Sequence, residues 1–239
     1  MTSLTRSAVF TFAVLGFSAC VSEDGNGTIV TEQRSVKAFT KLKVEDGLRV
    51  SLTQGPRGVW LTTDENLRSF FQAEVRGDTL VLKRLSNFTL KPSGDVVFEV
   101  TNEVLEGLEV SGGAQVNADA TPAGQWRLDV SGESVVSVSR MAAQKLKMEV
   151  TGNSQVDVSG SASDVKLKAS GSSRVNTTSL STVNLDVDAS GGSVLNVAAS
   201  NSATGSVSGN SRVTVVGNPQ KRDINASGSS QVTYTDGNL

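Results

Sequence analysis

The sequence has 239 residues and a formal net charge of −2, from 22 Lys and Arg against 24 Asp and Glu. A chain so close to neutral lacks the concentrated basic surface that nucleic-acid binding requires, so we expect no nucleic-acid partner. It contains no His and a single Cys. This excludes His-dependent hydrolases, His-ligated zinc and an internal disulfide bond.

The first 19 residues have the three parts of an export signal. Arg6 supplies the positive charge at the start, an apolar run follows over residues 8–15, and residues 16–19 lead to Cys20. The apolar run is too short to span a bilayer as a helix. We therefore predict that residues 1–19 are a signal peptide that is removed on export.

Cys20 is the candidate modification site. The segment Phe17-Ser18-Ala19-Cys20 resembles a bacterial lipobox, whose cysteine is acylated and becomes the N-terminus, although Phe17 replaces the usual Leu, Val or Ile. The alternative is an ordinary secretory signal with an incidental cysteine. We expect a lipid anchor at Cys20 that holds the protein on the outer membrane, facing either the periplasm or the cell surface. Residues 20–28 are polar and Gly-rich, which predicts a flexible tether.

A Ser-Gly or Thr-Gly pair recurs in the second half of the chain. Successive glycines are 18 to 20 residues apart, at Gly112, Gly132, Gly152, Gly171, Gly191, Gly209 and Gly228. Around each glycine every second residue is small or apolar, which is the period of a β-strand with one buried face. Units stacked about 4.8 Å apart would align these residues into columns inside a coil. The sequence predicts an all-β parallel β-helix (solenoid) with coils of about 20 residues. A β-sandwich is the alternative, but it would not require the same residue at the same phase of each unit.

The phase of the repeat assigns each position to the inside or the outside of the coil. Val156 and its equivalents face inward, whereas Asp157 and its equivalents face water. Each glycine marks a bend with positive φ or close backbone packing, and the Ser or Thr before it is expected to satisfy backbone groups there. Two outward columns are polar: Glu109, Asp129, Glu149, Lys168 and Asp188 before the glycine, and Asn117, Ser137, Asp157, Asn176 and Asn196 after it.

The part of the chain before residue 108 is less regular. Strand-like segments occur at 42–44, 48–52, 59–61, 80–82 and 96–100, with turns at 46–47, 55–56, 77–78 and 92–94. Asp64 and the spacing of the apolar residues that follow predict a short helix or helical turn with Asp64 as its cap. Because larger side chains collect here, we interpret this part as the wider, capping end of one continuous solenoid.

Four segments carry a family resemblance. They are Arg34-Ser35-Val36-Lys37-Ala38-Phe39, residues 42–55, Gly77-Asp78-Thr79-Leu80-Val81-Leu82 and residues 105–114. In this order they resemble the head GIN domain family, also called DUF2807 and described as an auto-transporter adhesin head. The resemblance covers about residues 29–236, within a domain that we place at 29–239. It implies a right-handed parallel β-helix, frequently found on envelope lipoproteins, and it supplies no catalytic, metal-binding or cofactor-binding residues.

Two groups of charged residues are candidate binding sites. The column of Glu109, Asp129 and Glu149 would stack carboxylates about 5 Å apart and so hold a divalent cation, although a solvated acidic face interrupted by Lys168 is the simpler interpretation. Basic residues in the first third could contact an anionic glycan or could be scattered surface charges. They are Arg57, Arg68, Arg76, Lys83, Arg84 and Lys91.

The leading interpretation is a non-enzymatic, membrane-anchored solenoid that binds a glycan or an envelope protein, or has a structural role. The alternative is a carbohydrate-active enzyme, a polysaccharide lyase or hydrolase on the same fold. Such an enzyme needs acids clustered with basic residues or calcium on one face, and the charges of the repeat are spread out. An ice-binding or mineral-binding solenoid would need a regular Thr array, which the mixed outward columns do not provide. We predict no cofactor.

Overall fold

The computed structural model describes residues 21–119 and 124–237. Cys20 and the expected signal peptide lie outside the described residues. The strands are β1 (Val21–Asp24), β2 (Ile29–Gln33), β3 (Lys41–Val44), β4 (Arg49–Gln54), β5 (Gly58–Asp64), β6 (Phe71–Arg76), β7 (Thr79–Arg84), β8 (Phe88–Lys91), β9 (Val97–Asn102), β10 (Gly107–Val110), β11 (Gln115–Asp119), β12 (Gln125–Val130), β13 (Val135–Val150), β14 (Gln155–Ala169), β15 (Arg174–Thr177), β16 (Leu180–Ala189), β17 (Val194–Ala198), β18 (Ser202–Val207), β19 (Arg212–Val216), β20 (Lys221–Ala226) and β21 (Gln231–Thr235).

From β10 onward the strands form a parallel solenoid. Each strand pairs with the strand one coil later, and the paired residues are 18 to 20 positions apart, as in Val136 with Val156 and Asn184 with Ser202. These shifts match the spacings of the recurrent glycines, because each glycine repeats the same corner. Val156 is fully buried and Asp157 is partly exposed, so the inward and outward phases are as predicted. The predicted all-β parallel β-helix is confirmed.

The corners need glycine for two reasons. Gly152 has a φ of +77°, a region that L-residues with a Cβ rarely adopt. A Cβ on Gly152 would also lie only 2.5 Å from the carbonyl oxygen of Gly132 in the preceding coil. That oxygen accepts a hydrogen bond from the Asn153 amide at 2.9 Å, and the Ser172 amide donates to the Gly152 oxygen at 2.7 Å. The corners therefore stack as a ladder of backbone hydrogen bonds.

The hydroxyl groups that satisfy these corners are not the ones that the sequence suggests. At Gly132, Gly152, Gly171, Gly191 and Gly228 the Ser or Thr before the glycine takes part through its backbone carbonyl, which accepts a hydrogen bond from the serine three residues later. Ser154 Oγ donates to the Thr151 oxygen at 2.9 Å, and Ser173 Oγ donates to the Ser170 oxygen at 2.7 Å. Ser154 and Ser173 are buried inside the coil. A buried hydroxyl needs such a partner, and the corner carbonyl is within its reach.

The first third departs from one continuous solenoid. The coil formed by β3 and β4 lies between the later coil of β7 and β9 and the coil of β10 and β11, so the order in space differs from the order in sequence. Antiparallel strands then close this end: β6 pairs with β7, β5 with β9, and β2 with β5. A two-residue turn at Gly77 and Asp78 joins β6 to β7, and so short a connection permits only antiparallel pairing. We call residues 22–102 without β3 and β4 the cap.

The predicted helix is one short 3-10 helix, Glu65–Phe70, followed directly by strand β6. Asp64 precedes it but makes no side-chain cap hydrogen bond. Its buried carboxylate instead accepts hydrogen bonds from the Gly27 amide at 2.9 Å, the Ser93 amide at 2.9 Å and the Ser93 hydroxyl at 2.5 Å. Asp64 thus joins the N-terminal segment to the loop after β8.

The prediction of a flexible tether over residues 20–28 is wrong for the part of this segment that the structure describes. Strand β1 pairs in parallel with β8, and the Gly25 amide donates to the Lys91 oxygen at 2.9 Å. A Cβ on Gly25 would collide with the Asp64 carboxylate, and Gly27 has a φ of +79°. Gly25 permits close packing and Gly27 permits a turn, so the frequency of glycine in this segment does not indicate a flexible tether.

The far end of the solenoid, which we call the tip, consists of β20 and β21. Each of these strands pairs on one side only among the described residues. Ala226 is exposed, and Ile224, Val232 and Tyr234 are only partly buried, although they occupy inward positions. The guanidinium of Arg222 lies 4.9 Å from the centre of the Tyr234 ring and covers part of this surface.

Candidate binding surface

Two lateral faces of the solenoid differ sharply in charge. The strands that follow the corner glycines present mainly amide and hydroxyl side chains, and we call this the amide face. Its outward residues are Gln115, Asn117, Val135, Ser137, Gln155, Asp157, Arg174, Asn176, Val194, Asn196, Arg212, Thr214, Gln231 and Thr233. The strands that precede the glycines present mainly Lys, Arg, Asp and Glu, and we call this the charged face.

Side chains on the amide face hydrogen-bond to one another both within a strand and between neighbouring strands. Asp157 accepts hydrogen bonds from Gln155 Nε2 and from Asn176 Nδ2, both at 3.2 Å. The Asn176 Oδ1 in turn accepts from the Thr178 hydroxyl at 2.9 Å. These contacts order the amides in the plane of the sheet, with unused donors and acceptors directed to solvent.

A shallow depression of about 370 Å³ lies on this face. Val194 lies at its floor between Arg174 and Arg212, because the three residues occupy the same column in successive strands. Among the described residues no carboxylate lies within 4 Å of the Arg174 guanidinium. The depression thus offers the Arg174 guanidinium and several side-chain amides beside the apolar side chain of Val194.

The charged face is largely neutralised by pairing along and across its columns. Lys43 Nζ lies 2.8 Å from Glu109, and Lys166 Nζ lies 2.6 Å from Asp186. Hydrogen bonds to Glu109 and to Glu45 raise the pKa of Lys43. Alternating charges therefore compensate each other on this face.

The acidic column suggested as a cation site is part of this pairing. Arg127 pairs with Asp129 and lies 3.5 Å from Glu149, so two of the three acids already face a guanidinium. Within the described residues, no three His, Cys, Asp or Glu side chains come together as a metal site would require. The structure supports the interpretation of this column as a solvent-exposed face whose acids are paired with basic side chains.

The basic residues of the first third do not form one patch. Arg68 lies 3.9 Å from both Glu32 and Glu65, Arg76 pairs with Glu74 at 2.9 Å, and Lys91 lies 3.5 Å from Asp24. These exposed pairs place an acid beside three of the six basic residues that an anionic glycan would contact. Cys20 is outside the described residues, so the lipidation site stays a prediction. No helix in the part of the chain that the structure describes is long and apolar enough to cross a membrane.

The order of segments, the corner glycines and the solenoid together agree with one family model. It is described as "Putative auto-transporter adhesin, head GIN domain" and matches residues 38–219. The chain belongs to this head GIN domain family. The resemblance found in the sequence is therefore confirmed, and the family description names an adhesin head, which agrees with the expectation of a non-enzymatic protein.

Solved structures with the head GIN fold extend over nearly the whole chain. A putative adhesin from Bacteroides fragilis has a TM-score of 0.83 at 17% identity, covering 89% of this chain and 100% of its own. A putative lipid binding protein from Parabacteroides distasonis has a TM-score of 0.71 at 16% identity, covering 90% and 100%. A putative adhesin from Parabacteroides merdae has a TM-score of 0.62 at 14% identity, covering 90% and 100%. At these identities the likeness shows the fold. No curated protein matches the chain.

The contrast between the two faces was not found in the sequence, although the signal was present. Positions three and five residues before each glycine are often charged, whereas those three and five after it are mostly Gln, Asn, Ser or Thr. Comparing the outward columns by their charge, instead of by their polarity alone, distinguishes the amide face from the charged face.

Proposed function

We propose that this head GIN protein is a non-enzymatic, lipid-anchored head at a bacterial cell envelope that binds a glycan along its amide face. The observation that carries the proposal is the predominance of amide and hydroxyl side chains among the outward residues of one face. The family description and the names of two structural neighbours as adhesins support a binding role. The resemblance of residues 17–20 to a lipobox supports the anchor and the envelope location.

The chemistry of the amide face suits a polyhydroxylated ligand. Sugar hydroxyls both donate and accept hydrogen bonds, and Asn, Gln, Ser and Thr side chains do the same without the desolvation cost of a charge. Each neutral hydrogen bond contributes only about 0.5–1.5 kcal/mol. Useful affinity therefore requires several bonds made at once, which an extended polymer lying across many strands provides.

The shape of the molecule favours a polymer over a small molecule. The depression at Val194 is shallow and open, and the outward side chains beside it repeat in columns from strand to strand. The interior of the coil is filled by apolar side chains, including Leu146, Leu167 and Leu185, which are at most 2% exposed. One structural neighbour is described as a lipid binding protein, but the filled interior of this chain directs our proposal to the outer surface.

A glycan array probed with residues 20–239 tests the proposal. The test variant is Asn176→Ala with Asn196→Ala, which removes two neighbouring amides from the face. The matched control is Gln144→Ala with Asn201→Ala, two exposed amides on other parts of the coil. We expect the test variant to bind about tenfold more weakly, because two lost hydrogen bonds amount to roughly 1–3 kcal/mol.

The control variant is expected to bind like the parent chain. Equal weakening in both variants, or binding that neither variant affects, would refute the assignment of the ligand to the amide face. Capture of a protein by the amide face, with no glycan bound, would replace the glycan with a protein partner.

A further inference from the structure

The segment that follows Cys20 is fixed to the cap. Ser22 and Glu23 pair with Thr89 and Leu90 of β8, and the Phe88 ring packs edge-on against Phe70 with 4.7 Å between the ring centroids. The Asn26 amide donates to Asn66 Oδ1 at 3.0 Å. Residues 22–27 are therefore held by a strand ladder, by side-chain acceptors and by aromatic packing behind the partner strand.

This segment lies at the opposite end of the molecule from the tip. On one side of the coil the strands follow in space as β2, β5, β9, β4, β11, β13, β14, β15, β17, β19 and β21. Strand β2, which directly follows the fixed segment, is the outermost strand of the cap. Ten strand spacings of about 4.8 Å separate it from β21, which amounts to about 48 Å.

We propose that the cap is the membrane-facing end of the head, and that residues 22–27 are a rigid mount that directs the tip away from the bilayer. This inference rests on the lipid anchor proposed at Cys20. From Cys20 to Ser22 the chain can extend by at most about 7 Å, because two residues span about 3.3–3.6 Å each. The bilayer surface must then pass close to the β1–β8 pair.

The covalent connection, and not charge, sets this orientation. The cap contains eight Lys or Arg and eleven Asp or Glu, a net charge of −3, so charge does not attract it to anionic lipid. The same orientation is expected on neutral and on anionic bilayers. In this orientation the amide face is perpendicular to the membrane plane, and successive coils lie at increasing distances from the bilayer surface.

Energy transfer to a dansyl-labelled lipid tests the orientation. Residues 20–239, which include every described strand, are coupled through Cys20 to a maleimide lipid in phosphatidylcholine vesicles. An added indole reports height: Thr89→Trp on the cap, and Thr233→Trp on the tip as its matched partner. Both threonines are exposed and lie on strands at the edge of their sheet. The native Trp60 and Trp126 contribute equally in both variants.

We expect roughly tenfold less transfer from the indole at position 233 than from that at position 89, since the tip lies on the order of 50 Å farther away. A twenty-residue Gly-Ser insertion between Cys20 and Val21 should reduce the transfer from position 89. Equal transfer from the two positions, or an insertion without effect, would overturn the proposal. Chemical coupling makes this test independent of acylation in the cell, so a failure of the lipid anchor itself would be seen separately, in fatty-acid labelling.

Discussion

Replacing the corner Gly152 by Ala tests the stacked-corner geometry, with Gly77→Ala as its matched control. Both glycines have a positive φ, +77° and +64°. They differ in space, because a Cβ at Gly77 meets nothing within 4 Å, whereas one at Gly152 meets the Gly132 oxygen at 2.5 Å. The two substitutions thus share the backbone strain and differ in the contact between coils.

The expected costs follow from that difference. A left-handed backbone costs an L-residue about 1–2 kcal/mol, so Gly77→Ala should lose about 1 kcal/mol. Gly152→Ala must also move the neighbouring corner and weaken two backbone hydrogen bonds, each of which contributes about 0.5–1.5 kcal/mol. We therefore expect a loss of about 3 kcal/mol or more, and a larger loss for Gly152→Val because valine is β-branched.

Urea denaturation of the three variants measures these losses. Because a solenoid couples mainly neighbouring coils, hydrogen exchange should also accelerate in the coils of β13, β14 and β15 before it does so in the cap. Equal midpoints for Gly152→Ala and Gly77→Ala would show that the corners do not stack as described. Equal exchange throughout the chain would contradict the local nature of the contact.

Four further substitutions test the phase of the coil, the cap and the anchor. Val156→Asp places a carboxylate in the apolar interior and should prevent folding or lower the unfolding free energy by several kcal/mol. Asp157→Asn on the outer face should change the unfolding free energy by at most about 0.5 kcal/mol. Similar effects of both substitutions in denaturation would refute the assignment of inward and outward positions. Asp64→Asn should increase hydrogen exchange at the Gly27 and Ser93 amides, which lose a charged acceptor, and unchanged exchange would contradict the proposed mount. Hydrogen bonds from the Ser93 hydroxyl and from two backbone amides lower the pKa of Asp64. Since the folded pKa lies below the unfolded value, this stabilisation is present above the ordinary carboxyl pKa and is lost as the pH falls through the folded pKa, so the acid limb of a stability–pH profile should flatten in Asp64→Asn. Cys20→Ser should abolish labelling by a fatty-acid analogue and release the protein from membranes, and a variant that keeps the label would exclude acylation at Cys20.

The repeat was predictable because its determinants are local. A glycine at a positive φ under a neighbouring backbone admits no other residue without strain, so Gly152 and its equivalents mark the coil directly in the sequence. The alternation of Val156 and Asp157 then fixes which side faces inward. These two signals were sufficient for the fold, the register and the core of residues 108–119 and 124–237.

The cap was not predictable by the same means. Alternating apolar residues have the same period in parallel and antiparallel strands, so the segments at 59–61 and 80–82 do not reveal their direction. The hydrogen bonds to Asp64 join residues far apart in sequence, Gly27 and Ser93, and leave no local pattern. Gly25 and Gly27 resemble a linker in composition, because close packing and flexibility select the same residue.

Side-chain amide signals give the most direct test of binding on the amide face. In NMR spectra of residues 20–239, the Asn176 and Asn196 side-chain amides report this face, and the Asn184 and Asn201 amides serve as internal controls on other strands and loops. The probe is neutral polysaccharide extracted from the bacterial envelope and added in increasing amounts. We predict that the signals of Asn176 and Asn196 shift progressively while those of Asn184 and Asn201 stay in place. Shifts confined to Asn184 and Asn201 would contradict the amide face as the binding surface.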